Sequence, residues 1–223
     1  MTLGRLQVTW DPAAPPRWDP TVPVPTGVTR TAVGARGAAL LRTLRAGAVD
    51  NHRNRLPELV RELGRIGLVT AVDPEGAAGL TWLFRAVAER DPEPAAAAAR
   101  ALLGRGPGLT PEGDDLLSAV AGTLAVLGPV VGPPEPPWGP LLAVLGPLPG
   151  RTTALSATLL GLALDRRLPE PAAGLLDLSP AGERGWPAAL TRLERLGHGS
   201  GRAYAAGIAV TASLLAAGAA ARC

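Results

Sequence analysis

The sequence predicts a mainly α protein, with a single helical, bundle-like domain behind a short, irregular, proline-rich N-terminal arm. Apolar residues recur at helical spacing in most segments beyond Arg36. Valine, isoleucine and aromatic residues are too sparse, and alternation is too rare, to build a sheet of any size. The 223 residues, of which 47% are hydrophobic, suffice for one good-sized core. We therefore assign residues 1–28 to the arm and residues 29–223 to the helical domain.

The arm is strand-like only around residues 6–10, before a segment whose prolines remove backbone donors, DPAAPPRWDPTVPVPTG. Helical patterning begins near Arg36, and it recurs at residues 54–66, 80–90, 94–103, 113–127, 152–164, 187–196 and 201–220. The proline density of residues 128–150 predicts a surface crossover between two halves of the bundle, with one short helical turn near residues 141–145.

Composition and charge exclude several classes of function. All 22 basic residues are arginines, but the net charge is only +3 and acids are interspersed among them, so we expect no nucleic-acid partner. Residues 204–221 approach the length of a membrane span, yet alanine and glycine dominate, which favours a buried core helix and no membrane association. The chain has no signal-like apolar run near its start, and its single cysteine is the last residue, so we expect a cytoplasmic protein.

The first polar motif is GRGPGLTPEGDDLL, which interrupts the helical pattern between residues 104 and 117. Thr110 followed by Pro111 has the order of a helix N-cap and first turn, and Asp114 and Asp115 fall in or just after that turn. The acids alone are explained by the positive end of the helix, but the costly glycines are not. The motif therefore predicts that backbone N–H groups bind an anion at a helix start, at Thr110 and at the glycines Gly106, Gly108 and Gly113.

This motif is neither a P-loop nor a dinucleotide fingerprint, since no lysine follows the glycines and no strand precedes them. Asp114 and Asp115 are adjacent, so their side chains point about 100° apart on a helix and would not chelate one ion together. One aspartate would cap the helix, while the other would orient a substrate amine or hold a magnesium-bound water. No metal site and no cofactor are predicted, and magnesium remains open.

The second motif is RTTALSATLLG, at residues 151–161. Thr152 is the predicted cap of the helix, Thr153 and Ser156 lie three residues apart on one face, and Arg151 is suited to bidentate binding of an oxyanion. Taken alone, this motif is better explained by an ordinary capped helix with a solvated arginine.

The third motif is LGHGSGRAYAAGIAV, at residues 196–210. Ser200 is a natural N-cap beside Gly201, and we interpret this serine as a ligand contact, not a nucleophile, because no strand-to-helix elbow surrounds it. His198 lacks the partners of a zinc site and joins Asp114 and Asp115 as a candidate catalytic residue. The other histidine, His52, is interpreted as a solvated loop residue.

In this order and spacing, GRGPGLTPEGDD, RTTALS and GHGSG resemble the family known as domain of unknown function 2877, one subunit of which is linked to oxamate carbamoyltransferase in anaerobic allantoin degradation. The resemblance spans about residues 102–210, and its first motif is the most specific. It implies transfer of a carbamoyl group between carbamoyl phosphate and a small amide or amine such as oxamate, in nitrogen metabolism, together with two other subunit types. The matching positions are Gly106, Gly108, Thr110, Gly113, Asp114, Asp115, Arg151, Thr152, Thr153, Ser156, His198, Ser200, Gly201 and Gly207.

The chain departs from the family pattern at Gly199, where a serine is expected, and at Ala203, where an aspartate is expected. Its N-terminal part is also shorter and poorer in strands. Two functions therefore stay open. One is a carbamoyltransferase subunit that binds a small anionic substrate, and the other is a noncatalytic scaffold or binding subunit of a multi-subunit metabolic enzyme.

Overall fold

The computed structural model describes residues 2–3, 6–7, 19–45, 56–131 and 138–217, and it confirms the mainly α prediction. Two strands of two residues, β1 (Thr2–Leu3) and β2 (Leu6–Gln7), pair antiparallel within the predicted arm. Farther along the arm, the amide of Val22 donates to the carbonyl of Arg166 at 2.8 Å. The end of the arm is thereby attached to the helical domain.

Eleven helices occur in the described residues. In chain order they are α1 (Arg30–Arg45), α2 (Leu56–Arg65), α3 (Val69–Val72), α4 (Pro74–Glu89), α5 (Pro92–Leu102), α6 (Glu112–Val131), α7 (Gly139–Val144), α8 (Ala154–Leu164), α9 (Glu170–Leu176), α10 (Pro180–Glu194) and α11 (Ser200–Ala217).

The sequence pattern missed some helix starts and the shortest helices. Helix α1 begins at Arg30, six residues before the predicted start, and α10 begins at Pro180 instead of residue 187. Ser179 caps α10 by accepting the amide of Gly182, with a proline at the first helical position. That start signal was overlooked because apolar residues are sparse in the first turns. Helices α3 and α9 are too short to show a helical period.

Small residues allow α6 and α11 to pack closely at the centre of the domain. A Cβ placed on Gly207 of α11 would lie 2.7 Å from the Cβ of Ala119 in α6. Gly207 and Ala119 each lie seven residues beyond the first residue of their helix, Ser200 and Glu112. The two helices therefore run parallel and begin side by side.

Helices α1 and α8 complete the centre of the domain. Helix α1 packs antiparallel on α11, since a Cβ on Gly34 would lie 2.7 Å from the Cβ of Ala216, near the other end of α11. Leu168, just after the end of α8, packs on Gly122 of α6. Because the start of α8 contacts the start of α6, described below, α8 runs parallel to α6. Helices α6, α8 and α11 thus begin at one end of the domain.

A buried arginine joins α1 to the α9–α10 pair. The side chain of Arg36 donates to the carbonyl of Leu175 at 2.7 Å and to the carboxylate of Glu183 at 2.8 Å. Its guanidinium also lies 5.7 Å from the ring centre of Trp186. Arg36 is therefore a structural residue, paired as a buried charge requires.

Within the part of the chain that the structure describes, one helix is long and apolar enough to cross a membrane. This helix is α6; the segment that the sequence singled out, residues 204–221, is described only as far as residue 217. In α6, 83% of an 18-residue apolar stretch is buried inside the protein. The position of α6 at the centre of the domain accounts for its apolar composition.

We expect Gly207→Ala to lower the free energy of unfolding by about 1–3 kcal/mol, because the new methyl group would force α6 and α11 apart. The matched control is Gly161→Ala in α8, where a Cβ would meet nothing within 4 Å. That change should raise stability by about 0.5–1 kcal/mol through helix propensity. Urea denaturation followed by circular dichroism measures both, and equal effects would contradict the packing described for Gly207.

Candidate functional site

The glycine-rich loop between α5 and α6 depends on backbone conformations that favour glycine. Gly104, Gly106 and Gly108 have φ angles of 74°, 109° and 99°, in the left-handed region. A Cβ on Gly104 would also overlap the carbonyl oxygen of Arg151. Gly108 has open space around it, so its glycine is explained by conformation alone. The loop therefore needs glycines for its path, with or without a ligand.

Asp114 joins the first motif to the second. This side chain is 1% exposed, and its Oδ1 accepts the amide of Gly104 at 2.7 Å. Its Oδ2 accepts the hydroxyl of Thr152, just before α8. Both carboxylate oxygens are thus occupied by the protein itself, and Asp114 holds the loop, the start of α6 and the start of α8 together.

The start of α8 makes a second set of contacts with the loop. Thr153 is the N-cap of α8, since its hydroxyl accepts the amide of Ser156 at 3.1 Å, so the prediction that Thr152 caps this helix is wrong. The same Thr153 hydroxyl donates to the carbonyl of Leu109 at 2.6 Å, and the Ser156 hydroxyl donates to it at 3.5 Å. The acceptor at Leu109 is its backbone carbonyl, a group that every residue has, so the sequence could not indicate this role.

The third motif contacts the first through two hydroxyl groups. The Oγ1 of Thr110 and the Oγ of Ser200 lie 3.0 Å apart. Thr110 therefore contacts the start of α11, and α6 begins two residues later, at Glu112. Gly113 and Gly201 serve packing instead, because a Cβ at either would overlap the carbonyl oxygen of Leu102 or Leu193, respectively.

Asp115 has surroundings unlike those of its neighbour. Its side chain is 3% exposed and hydrogen-bonds to Ser200, while its Oδ2 has no hydrogen-bond partner within the described structure. Burial raises the pKa of Asp115 to about 7; the Ser200 hydrogen bond opposes this rise, and the negative charges of Asp114 and Glu112 add to it. The two aspartates thus differ in their surroundings: the pKa of Asp115 is raised to about 7, whereas both carboxylate oxygens of Asp114 accept hydrogen bonds from the protein.

A cavity of about 340 Å³ opens beside these contacts. It is lined by Gly104, Gly106, Gly108, Pro111, Gly150, Arg151, Thr152 and Thr153. Among the described residues, the amide groups of Gly106 and Gly108 donate no hydrogen bond. We call this cavity the cleft. It combines free backbone donors, two threonines and one arginine.

Two of the predicted site residues occupy less central positions. Arg151 lines the cleft and is exposed, but its guanidinium donates to the carbonyl of Arg100 at 2.6 Å. His198 is exposed in the turn before α11 and is not among the residues that line the cleft. His52 and Cys223 lie outside the described residues.

Charged residues that the sequence analysis passed over hold the loop in place. The carboxylate of Glu112 accepts the amides of Thr70 at 2.6 Å and Val69 at 3.3 Å, and so binds the start of α3. Arg105 of the loop pairs with Asp73 and Glu75 at the start of α4. These partners are at least 30 residues distant along the chain, so no local pattern reveals them.

In the described ranges, no group of three or more histidine, cysteine, aspartate or glutamate side chains is arranged to hold a metal ion. Asp114 and Asp115 point to different partners, as their helical spacing predicts. The expectation of no cofactor, with magnesium left open, stays a prediction.

We expect the stability of the protein to depend on pH through Asp115. Folding raises the pKa of this carboxyl group from 3.8 to about 7, so between these values the folded chain binds more protons than the unfolded chain. The contribution of Asp115 to the free energy of unfolding therefore falls as pH rises, by about 1.4 kcal/mol per pH unit. Asp115→Asn removes this titration.

The stability of the Asp115→Asn variant relative to the parent chain should therefore increase from about pH 5 to about pH 7 and level off above. Urea denaturation of both proteins over this range measures the difference. A difference that does not change with pH would show that Asp115 has an ordinary pKa.

The segment that carries the three motifs matches a known family. Residues 102–212 match the family described as oxamate carbamoyltransferase subunit AllH. No curated protein and no solved structure matches the chain with statistical significance. The matched segment runs from the end of α5 into α11 and includes every residue of the cleft, in agreement with the resemblance noted from the motifs. The matched segment, just under half of the chain, is therefore similar to oxamate carbamoyltransferase subunit AllH.

Proposed function

We propose that the chain is a subunit of a carbamoyltransferase-like enzyme and that its cleft binds carbamoyl phosphate or a similar small anion. The observation that carries the proposal is the convergence of three helix starts on the glycine-rich loop. Helices α6, α8 and α11 contain 20, 11 and 18 residues, and their N-terminal ends contribute partial positive charge to the same region. Such an arrangement favours a negatively charged ligand.

The lining of the cleft supports the same ligand class. Gly106 and Gly108 have no side chains to keep a ligand from the backbone, and their amides are available to donate. Arg151 is exposed, and its described partner is the neutral carbonyl of Arg100, so its positive charge remains available to an anion. A phosphate group with several acceptor oxygens matches this combination of amides and a guanidinium.

Transfer of a carbamoyl group requires a proton acceptor. The acceptor nitrogen attacks the carbonyl carbon of carbamoyl phosphate, a C–N bond forms, and the C–O bond to phosphate breaks, with the bonding electrons leaving on phosphate. The acceptor nitrogen must also lose one proton. We assign this proton to Asp115, whose pKa of about 7 suits a general base, and not to Asp114, whose oxygens are both occupied.

The remaining parts of the proposal rest on the family. The acceptor would be a small amide or amine such as oxamate, the pathway would be anaerobic allantoin degradation, and the partners would be the other subunits of the enzyme in the cytoplasm. His198, exposed before α11, would act only if an acceptor or a partner subunit reached it.

A second candidate is a noncatalytic binding subunit, and exposed apolar residues at the cleft favour it. Leu109 of the loop is 75% exposed, and Leu155, in the first turn of α8, is 48% exposed. They lie close together, because the carbonyl of Leu109 accepts hydrogen bonds from Thr153 and Ser156, on either side of Leu155. An exposed apolar pair beside a ligand site is typical of a subunit contact.

We expect isothermal titration calorimetry to detect carbamoyl phosphate binding to the chain, and Arg151→Ala to weaken it about tenfold or more through loss of a charged hydrogen bond. The matched control is Arg184→Ala, an exposed arginine of α10 that does not line the cleft. Equal affinities for the parent chain and the Arg151 variant would argue against the cleft as the anion site.

Leu109→Asp tests whether these exposed apolar residues contact another subunit. This exposed position should tolerate the change without loss of stability. If the chain serves as a binding subunit, the variant should lose co-elution with the other carbamoyltransferase subunits in size-exclusion chromatography of co-expressed proteins. A stable complex without carbamoyl phosphate binding by the parent chain would favour the noncatalytic role.

A further inference from the structure

We propose that Asp115 exchanges a proton with the cleft region through the hydroxyl group of Ser200, and that anion binding is coupled to the protonation of this carboxyl group. The coupling rests on the proposed function, because it requires an anion in the cleft. The proton exchange does not, because it follows from the contacts of Asp115 alone.

The contacts of Asp115 form a path from the protein interior to the surface. Asp115 is buried between α6 and α11, whereas Ser200 and Thr110 are both partly exposed. Ser200 hydrogen-bonds to Asp115, and its Oγ lies 3.0 Å from the Oγ1 of Thr110, in the loop that forms the cleft. A hydroxyl group both donates and accepts, so the pair Ser200–Thr110 can pass a proton where a backbone amide could not.

The Oδ2 of Asp115 has no hydrogen-bond partner among the described residues, so their contacts leave this carboxyl group incomplete. A buried carboxylate oxygen without a hydrogen bond is costly, and one remedy is to bind a proton. Farther from the helix starts, Ser118 of α6 hydrogen-bonds to Tyr204 of α11, so these two polar groups have each other as partners. The group with an oxygen that lacks a partner, Asp115, therefore lies nearer the surface, where the two helices begin.

The charges around Asp115 are mostly negative. Asp114 and Glu112 on α6 act on it directly, and Tyr204 on α11 faces it as a neutral phenol whose pKa is raised by burial. Helices α3 and α8 contribute no ionisable side chain. The nearby basic groups have other partners or positions: Arg105 pairs with Asp73 and Glu75, Arg202 donates to the carbonyl of Ile66, and His198 is exposed.

An anion in the cleft adds one more negative charge to this region. It repels the ionised form of Asp115 and therefore favours the protonated form. By linkage, anion affinity falls as pH rises through the titration of Asp115. A shift of one pKa unit upon binding corresponds to a tenfold fall in affinity, and we expect an effect of about this size.

A titration of the carboxyl groups by ¹³C NMR tests the proton exchange on the chain itself. One aspartate signal should titrate near pH 7 and be absent from Asp115→Asn, which assigns it. Ser200→Ala should move this titration upward, because the Ser200 hydrogen bond stabilises the ionised form. The matched control, Ser213→Ala, removes a hydroxyl of α11 that bonds to its own helix at Ala209 and should cause no shift. Titration in the ordinary aspartate range, or no shift in Ser200→Ala, would overturn the proposal.

The coupling is tested with sulfate, a tetrahedral anion whose charge does not change between about pH 6 and about pH 8. Calorimetry should show weaker sulfate binding at the higher pH in the parent chain and equal binding at both in Asp115→Asn. Sulfate that binds without any pH dependence would overturn the coupling. Absence of binding by both sulfate and carbamoyl phosphate would overturn the anion site and the coupling with it, while the NMR titration would still decide the role of Asp115.

Discussion

The close approach of α6 and α11 is the constraint on which the candidate site depends. Gly207 and Ala119 leave no room for larger side chains between the two helices. Because these residues are equally far from the helix starts, the contact also fixes the alignment of Ser200 with the first turn of α6. Residues 90 positions apart in the chain can then share a hydrogen bond, as Thr110 and Ser200 do.

The two adjacent aspartates, Asp114 and Asp115, have different surroundings. Asp114 accepts a backbone amide and a hydroxyl, so both of its oxygens are bound by the protein. Asp115, the next residue of the helix, is buried among neutral and negative groups, and its Oδ2 has no hydrogen-bond partner among the described residues. A single turn of helix thus gives two identical side chains different surroundings.

The sequence predicted the fold class and most of the long helices, because those follow from local periodicity and turn residues. It also singled out the loop glycines, of which Gly113 and Gly201 pack closely against neighbouring backbone and do not line the cleft. It could not predict that Thr153 would cap α8 in place of Thr152, since either threonine satisfies the local rule and the tertiary contact with Leu109 decides. The roles of Glu112 and Arg105 depend wholly on partners distant in the chain.

The interlocking of Gly104, Asp114 and Thr152 has a consequence for how this site can evolve. The amide of Gly104 and the hydroxyl of Thr152 share one carboxylate, and the space left by the missing side chain of Gly104 is filled by the carbonyl of Arg151. A change at any one of these positions leaves a buried polar group unsatisfied or displaces a neighbouring loop. We therefore expect these positions to change together in evolution: a protein that keeps the carboxylate at 114 should also keep the glycine and the hydroxyl, and one that loses it should differ in all three segments.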